Sequence, residues 1–389
     1  MISIIPSLAQ GVSMPLRHVL DNGSRYLLTA MMAVVTISAC SPRTSGDDAP
    51  SAELKANVNE GKANTIRNNY GATLKSVQER GHLNCGVHPG LVGFSYRDNR
   101  GEWKGFDVDF CRAMAAAIFD DPAKVNFIPL ETDNRFGALR RGQIDVLWRN
   151  SSWTMSRDTT EGLNFGGTNY YDGQGFLVRR SLRLNSATEL NGARICVQSG
   201  STTELNLADY FRIKAIKYTP IVVATEDEAR AKYANESCDA FSSDISALAA
   251  ARTTLNDPQN HVILPDVISK EPLGPVLREG DAQWDNIVRW TLNALILAEE
   301  YGVTSKNIDD SMKSSPNSEV RRLLGADSNL GKDMGLNAKW AYNAIKRVGN
   351  YGEIFDRNVG SQSPLNLDRG LNAQWNSPRP GLIYAPPAR

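Results

Sequence analysis

Hydrophobic and polar positions along this chain switch repeatedly between helical and extended spacing. From Thr73 the stretch TLKSVQERGHLNCGVHPG reads as a helix, a turn at Gly81 and a strand through Cys85 and Val87. The polar loop SYRDNRGEWKG, with glycine at both turns, follows as a hairpin-like connection. GFDVDFCRAMAAAIF predicts a helix opening near Asp107–Asp109, where carboxylates suit the positive end of the helix dipole. KVNFIPL reads as a strand, RFGALRRG as a helix ended by Gly142, and QIDVLW as another strand. Strands alternating with helices imply a mostly parallel sheet covered by helices.

The same grammar then recurs. LNGARICVQSG repeats the turn glycine, the strand with a cysteine inside it and the loop. STTELNLADYFRI is a helix, KYTPIVVA a strand, and TEDEARAKYANES a helix opened by Thr225. CDAFSSD then mirrors IDVLWRN, an Asp and an apolar strand with polar groups at its carboxyl end. Two related α/β lobes follow from this pattern. Ligands in open α/β sheets sit outside the carboxyl ends of strands. Asn150–Ser152 and Ser242–Asp244 both lie at such ends, so lobes that face each other would bring both clusters to one cleft.

The flanks read differently. Arg17, His18 and Arg25 precede the apolar run Tyr26–Ala39, which is short for a membrane span and fits an export signal. Residues 1–40 are therefore assigned to a signal peptide, with Met14 a plausible alternative start. Residues 41–67 are polar and read as a flexible tether. Residues 68–177 and 273–389 are assigned to the first lobe, including a glycine-punctuated helical extension at the C-terminus, and 178–272 to the second. Two crossing segments, near Gly175–Val178 and Lys270–Pro275, are expected to form the hinge.

Composition narrows the function. Lys+Arg and Asp+Glu number 43 each, so no net field exists to capture nucleic acid or an anionic membrane surface. His82, His88 and His261 are scattered without ligand spacing, and no metal or cofactor motif is found. Four cysteines follow the signal, with three possible connectivities and no zinc spacing. Cys85 and Cys196 open their lobes' sheets. Cys111 lies in a helix that must pack on the first sheet, and Cys238 begins a strand expected beside Cys196. The pairing Cys85–Cys111 and Cys196–Cys238 is therefore expected, because a bond across the lobes would hinder closure.

The polar clusters fit a free α-amino acid. RNSSWTMSRD (Arg149–Asp158) offers guanidinium and hydroxyl donors for a carboxylate, and FSSD offers acceptors for an ammonium. Simpler readings exist: Asp244 as the cap of the helix ISALAAAR, Ser201–Thr203 as caps of the next helix, and Phe94 as core packing.

GFDVDFCRAMAAAI, DVLWRNSSWTMSR and DAFSSD, in that order, resemble the motifs of the family-3 bacterial extracellular solute-binding proteins, across about Leu74 to Tyr301. Within that family the wording is similar to the general L-amino-acid-binding proteins of ABC importers. The resemblance implies a type II periplasmic-binding-protein fold of two α/β lobes, with helices on both sheet faces and the two-segment hinge. It implies Arg157 as carboxylate anchor, Asp244 as ammonium ligand, and Asn150 and Ser152 at the α-group site. It places Phe94 as a ring stacked on the ligand and Ser201, Thr202 and Thr203 at an anion-suited helix start. Asn150 departs from the family's usual Gly or Ser. ETDNRF (Glu131–Phe136), with Thr132, is expected to line the side-chain pocket. ISAC resembles a lipoprotein box, which would make Cys40 a lipid attachment point and the sole link to a membrane. The implied protein is a monomeric periplasmic binding component with no cofactor, partnered by L-amino acids and ABC permease subunits. The rival reading is a dehydratase-like enzyme on the same fold, with Glu131 as general acid.

Overall fold

The computed structural model describes residues 71–389, so the expected signal peptide, Cys40 and the expected tether lie outside the described residues. The first lobe contributes β1 (Leu83–Val87), a hairpin of β2 (Tyr96–Arg97) and β3 (Trp103–Lys104), β4 (Val125–Pro129), β5 (Val146–Leu147) and β6 (Leu163–Phe165). The chain leaves through β7 (Tyr170–Asp172) and builds β8 (Gln174–Arg179), β9 (Arg194–Gln198), β10 (Thr219–Val223), β11 (Ala240–Asp244) and β12 (His261–Ile263). It returns through β13 (Glu271–Leu273) and closes the first sheet with β14 (Val276–Arg278).

The two sheets have matching orders, β4-β1-β5-β14-β6 and β10-β9-β11-β8-β12. In each, the first three strands are parallel and the last two run antiparallel to their neighbours. The expected sheets were mostly parallel; these are mixed, for a topological reason. β8 and β14 enter directly from the crossing strands rather than through a crossover helix, so each inserts with reversed direction. The related-lobe pattern stands, with the cysteine-bearing strands β1 and β9 at equivalent positions.

The crossing strands β7 and β13 pair antiparallel, Tyr170 opposite Leu273 and Asp172 opposite Glu271. The return crossing falls within Lys270–Pro275 as expected. The outgoing one does not fall at Gly175–Val178, and the lobe boundary moves from 177/178 to just before Gln174. Those residues are interior strand: Phe176 and Val178 pack into one core of the second lobe and Leu177 into another.

Both disulfides join the expected partners, Cys85–Cys111 and Cys196–Cys238. The first ties β1 to the helix Phe106–Phe119 and the second ties β9 to the chain entering β11. The helix Trp340–Val348 of the C-terminal extension packs on Phe106–Phe119. Arg357 Nη2 lies 2.7 Å from Asp109 Oδ2. Farther on, Asn372 holds the backbone of Tyr171 in β7, accepting from its N–H at 2.6 Å and donating to its carbonyl at 3.0 Å. The extension therefore packs on the first lobe and also braces the outgoing crossing. No helix among the described residues is long and apolar enough to cross a membrane.

Candidate functional site

β5 and β11 end facing one cleft between the lobes. Thr132, Asn150, Ser152 and Arg157 line it from the first lobe, and Ser201, Thr202, Thr203 and Asp244 from the second. Of the expected site residues, Phe94 alone is elsewhere. It is 1% exposed and packs edge-on against Phe106 and Tyr170, with ring centroids 6.0 and 5.4 Å away. Gly105 sets this local packing: at φ +131°, any Cβ there would strike the Phe94 carbonyl. The backbone turn thus sits tight on the helix start and sends the ring into the core.

Local structure delivers the polar groups. Thr154 caps the helix Met155–Thr160, its Oγ1 accepting from the Arg157 N–H at 3.4 Å. An arginine in a first turn opposes the helix dipole. This one folds back, Nη1 donating to the Ser152 carbonyl at 2.9 Å, which points the guanidinium at the strand end. Asn150 adopts φ +24°, a left-handed conformation that asparagine tolerates better than most residues. Its N–H donates to Asp107 Oδ2 at 3.1 Å. Asp107, from the GFDVDF helix start, is pushed up to about 7 by burial, against the pull of that N–H. In the second lobe, Ser201 does cap its helix, Oγ accepting from the Glu204 N–H at 3.2 Å. Gln174 Nε2 donates to the Thr203 carbonyl and to Ser242 Oγ, both at 2.9 Å, locking this helix start to β11.

Asp244 makes no cap hydrogen bond to the helix Ile245–Thr253 that follows it. Its Oδ1 is buried without a partner. Burial, followed by the charges of Asp172, Glu271 and Glu226, raises its carboxyl well above the usual range, while Arg157 opposes this. Arg157 in turn is lowered by burial. The cleft therefore holds an incompletely answered cation on one lobe and an incompletely answered anion on the other. A ligand carrying both signs relieves both.

Sequence reading missed several contributors. Glu271, 2% exposed on β13, joins the lobes. Its Oε2 accepts from Ser152 Oγ and from Thr202 Oγ1, the latter at 2.9 Å, and its Oε1 accepts from Asn206 Nδ2 at 2.7 Å and Ser269 Oγ at 2.6 Å. His88 Nδ1 accepts from the Gly90 N–H at 3.0 Å, leaving Nε2 to face Glu226 Oε2 across the cleft at 3.5 Å. Burial, then Arg149, lowers the His88 pKa. Arg149 is fixed by its Nε donating to the Leu130 carbonyl at 2.8 Å and its Nη2 to Thr132 Oγ1 at 3.1 Å. ETDNRF contributes Thr132 and Arg135 to the lining, but Glu131 is not on the cleft. Among the described residues no cluster of His, Cys, Asp and Glu suited to a metal ion occurs.

Fold and cleft define a two-lobed protein whose cleft carries an arginine on one wall and a carboxylate on the other. Residues 83–307 match the bacterial extracellular solute-binding proteins, family 3, and this chain belongs to that family. It is 54% identical to the general L-amino acid-binding periplasmic protein AapJ of Rhizobium johnstonii, over 82% of this chain and 93% of that protein. It is 51% identical to the glutamate/glutamine/aspartate/asparagine-binding protein BztA of Rhodobacter capsulatus, over 82% and 94%. A solved periplasmic binding protein from Brucella ovis with glutathione bound is 54% identical, with a TM-score of 0.80, over 82% of this chain and 99% of that one.

Proposed function

We propose that this chain is the periplasmic substrate-binding component of an amino-acid ABC importer. The observation that carries the reading is the pair formed by Arg157 on one wall and the buried, partnerless Asp244 oxygen on the other. Arg157 takes the α-carboxylate and Asp244 the α-ammonium, with Asn150, Ser152 and the Ser201–Thr203 helix start supplying further polar contacts. The names of the relatives above support this choice of ligand. Lobe closure about β7 and β13 desolvates the clamp and strengthens it. The permease subunits then recognise the closed monomer, a population shift set by differential affinity. Cys40 is the lipid attachment point. The dehydratase-like alternative lacks its general acid, since Glu131 is off the cleft.

The clamp reads groups that every amino acid shares, so the range is broad and D-enantiomers are weak. Ligand-stripped protein titrated with L-glutamate, L-glutamine, L-histidine, L-leucine and D-glutamate tests this. Several L-ligands binding at micromolar or tighter affinity is the expected result. One tight ligand and four silent ones would overturn the breadth, and five silent ones the function.

A further inference from the structure

The turn that carries Asn150 and Ser152 into the cleft is held at three points. Before it, where β5 leaves β1, the Trp148 N–H donates to the Gly86 carbonyl at 2.9 Å. After it, the Ser151 carbonyl accepts from the Gly274 N–H at 3.1 Å, and Ser152 bridges to Leu273 of β13. Between these anchors Asn150 stands at φ +24°, and its N–H goes to Asp107 Oδ2 at 3.1 Å instead of to a strand. Left-handed backbone is unfavourable for a residue with a Cβ, so such a turn persists only where its surroundings hold it.

Asp107 is placed to supply that hold. It is buried and does not line the cleft, so it reaches a ligand only through another residue. Its position in the first turn of the helix Phe106–Phe119 sets the carboxylate at the positive end of the helix dipole. Its own N–H donates to the Phe94 carbonyl at 3.0 Å, and Gly105 lets those two backbones meet so closely. The packing that draws Phe94 into the core therefore also fixes where the Asp107 carboxylate sits. On the cleft side, the turn leaves Asn150 Oδ1 buried without a partner, an acceptor ready for a ligand's N–H.

We propose that Asp107 is a positioning residue of the clamp: its buried carboxylate holds the Asn150 N–H and thereby keeps residues 149–152 in the left-handed turn that presents Asn150 and Ser152 to the ligand. The inference rests on the amino-acid reading above and deepens it. The simpler role for Asp107 is a helix-start charge that only stabilises the first lobe. The two roles differ in what happens when the turn no longer needs holding. Glycine adopts a positive φ without steric penalty, so Asn150→Gly relieves the turn of its dependence on Asp107. It does nothing for a lobe weakened by the loss of a helix-start charge.

Calorimetry with L-glutamate and L-glutamine on ligand-stripped protein tests it, with thermal melting as the control for folding. Asp107→Leu keeps the volume and removes the acceptor. It is expected to weaken both ligands at least tenfold and by the same factor, because the turn serves groups that both share. Asp107→Asn keeps an acceptor oxygen and is expected to stay within threefold of the parent. In the Asn150→Gly background, adding Asp107→Leu is expected to cost threefold or less. A folded Asp107→Leu variant that binds like the parent would overturn the proposal while leaving the α-group clamp standing. So would the same tenfold loss from Asp107→Leu in the Asn150→Gly background, which is the signature of the helix-start role. A tenfold loss from Asp107→Asn would overturn it too, even if Asp107→Leu failed to fold. A parent that binds neither ligand would defeat the amino-acid reading itself, and this proposal with it.

Discussion

Replacing Glu271 with alanine should weaken every ligand by the same factor. Glu271 touches the clamp only through other side chains, yet it accepts from Ser152 of one lobe and from Thr202 and Asn206 of the other. Hydrogen bonds to a charged group contribute roughly 1.5–3 kcal/mol each. Water replaces part of each bond when the lobes separate, so about 1 kcal/mol per bond counts toward closure. Three cross-lobe donors give about 3 kcal/mol. One effect opposes this: Glu271 also raises the Asp172 and Asp244 carboxyls, so its removal relieves repulsion there. The balance is a loss of about 1.5–3 kcal/mol, or roughly 10–150-fold in affinity. Calorimetry with L-glutamate, L-glutamine and L-histidine measures the factor for each, and small-angle scattering reports the lobe separation. Affinities within threefold of the parent, or a loss confined to one ligand, would refute Glu271 as a closure latch.

Arg157→Met should cost roughly 2–5 kcal/mol of binding for all amino acids, because it strands the ligand carboxylate, with thermal melting as the control for folding. Affinity should fall on acidification through about pH 6. Burial pushes the Asp172 carboxyl up to about 6 in the free protein, and an ammonium beside Asp244 favours the ionised cluster. The complex then holds fewer protons than the free protein below that pH, so affinity drops by up to about tenfold per pH unit per proton, and calorimetry in buffers of different ionisation enthalpy should show proton release. Reducing the disulfides should lower the melting temperature without changing which ligands bind. Their sequence separations of 26 and 42 residues correspond to about 3.5 and 4 kcal/mol of loop entropy, provided that strain is small.

Much of this molecule was legible before its coordinates, and the reasons are local. Strand ends carrying polar clusters, Thr225 and Ser201 as caps, and cysteines on equivalent strands are features of short segments, and the structure places them as read. What escaped depends on distant residues. Phe94 looks like a cleft aromatic until Gly105 and Tyr170 draw it inward. Gly175–Val178 looks like a hinge until Phe176 and Leu177 are seen packed on opposite faces of a sheet. Glu271 sits in an unremarkable EPLG stretch, and its role appears only where two lobes bring hydroxyls to it. Arg135 was visible as one charge in a mixed segment, but the burial of its Nε without a partner is a property of the folded cleft alone.

The central claim is that the two lobes grip the α-carboxylate and the α-ammonium together. Titrating the ligand-stripped protein with L-glutamate, with glutarate and with γ-aminobutyrate tests it most directly. Glutarate lacks the ammonium that Asp244 would hold, and γ-aminobutyrate lacks the α-carboxylate that Arg157 would hold. The account predicts micromolar or tighter binding of L-glutamate and at least 100-fold weaker binding of both analogues, about 2.7 kcal/mol each. Either analogue binding within threefold of L-glutamate would contradict it.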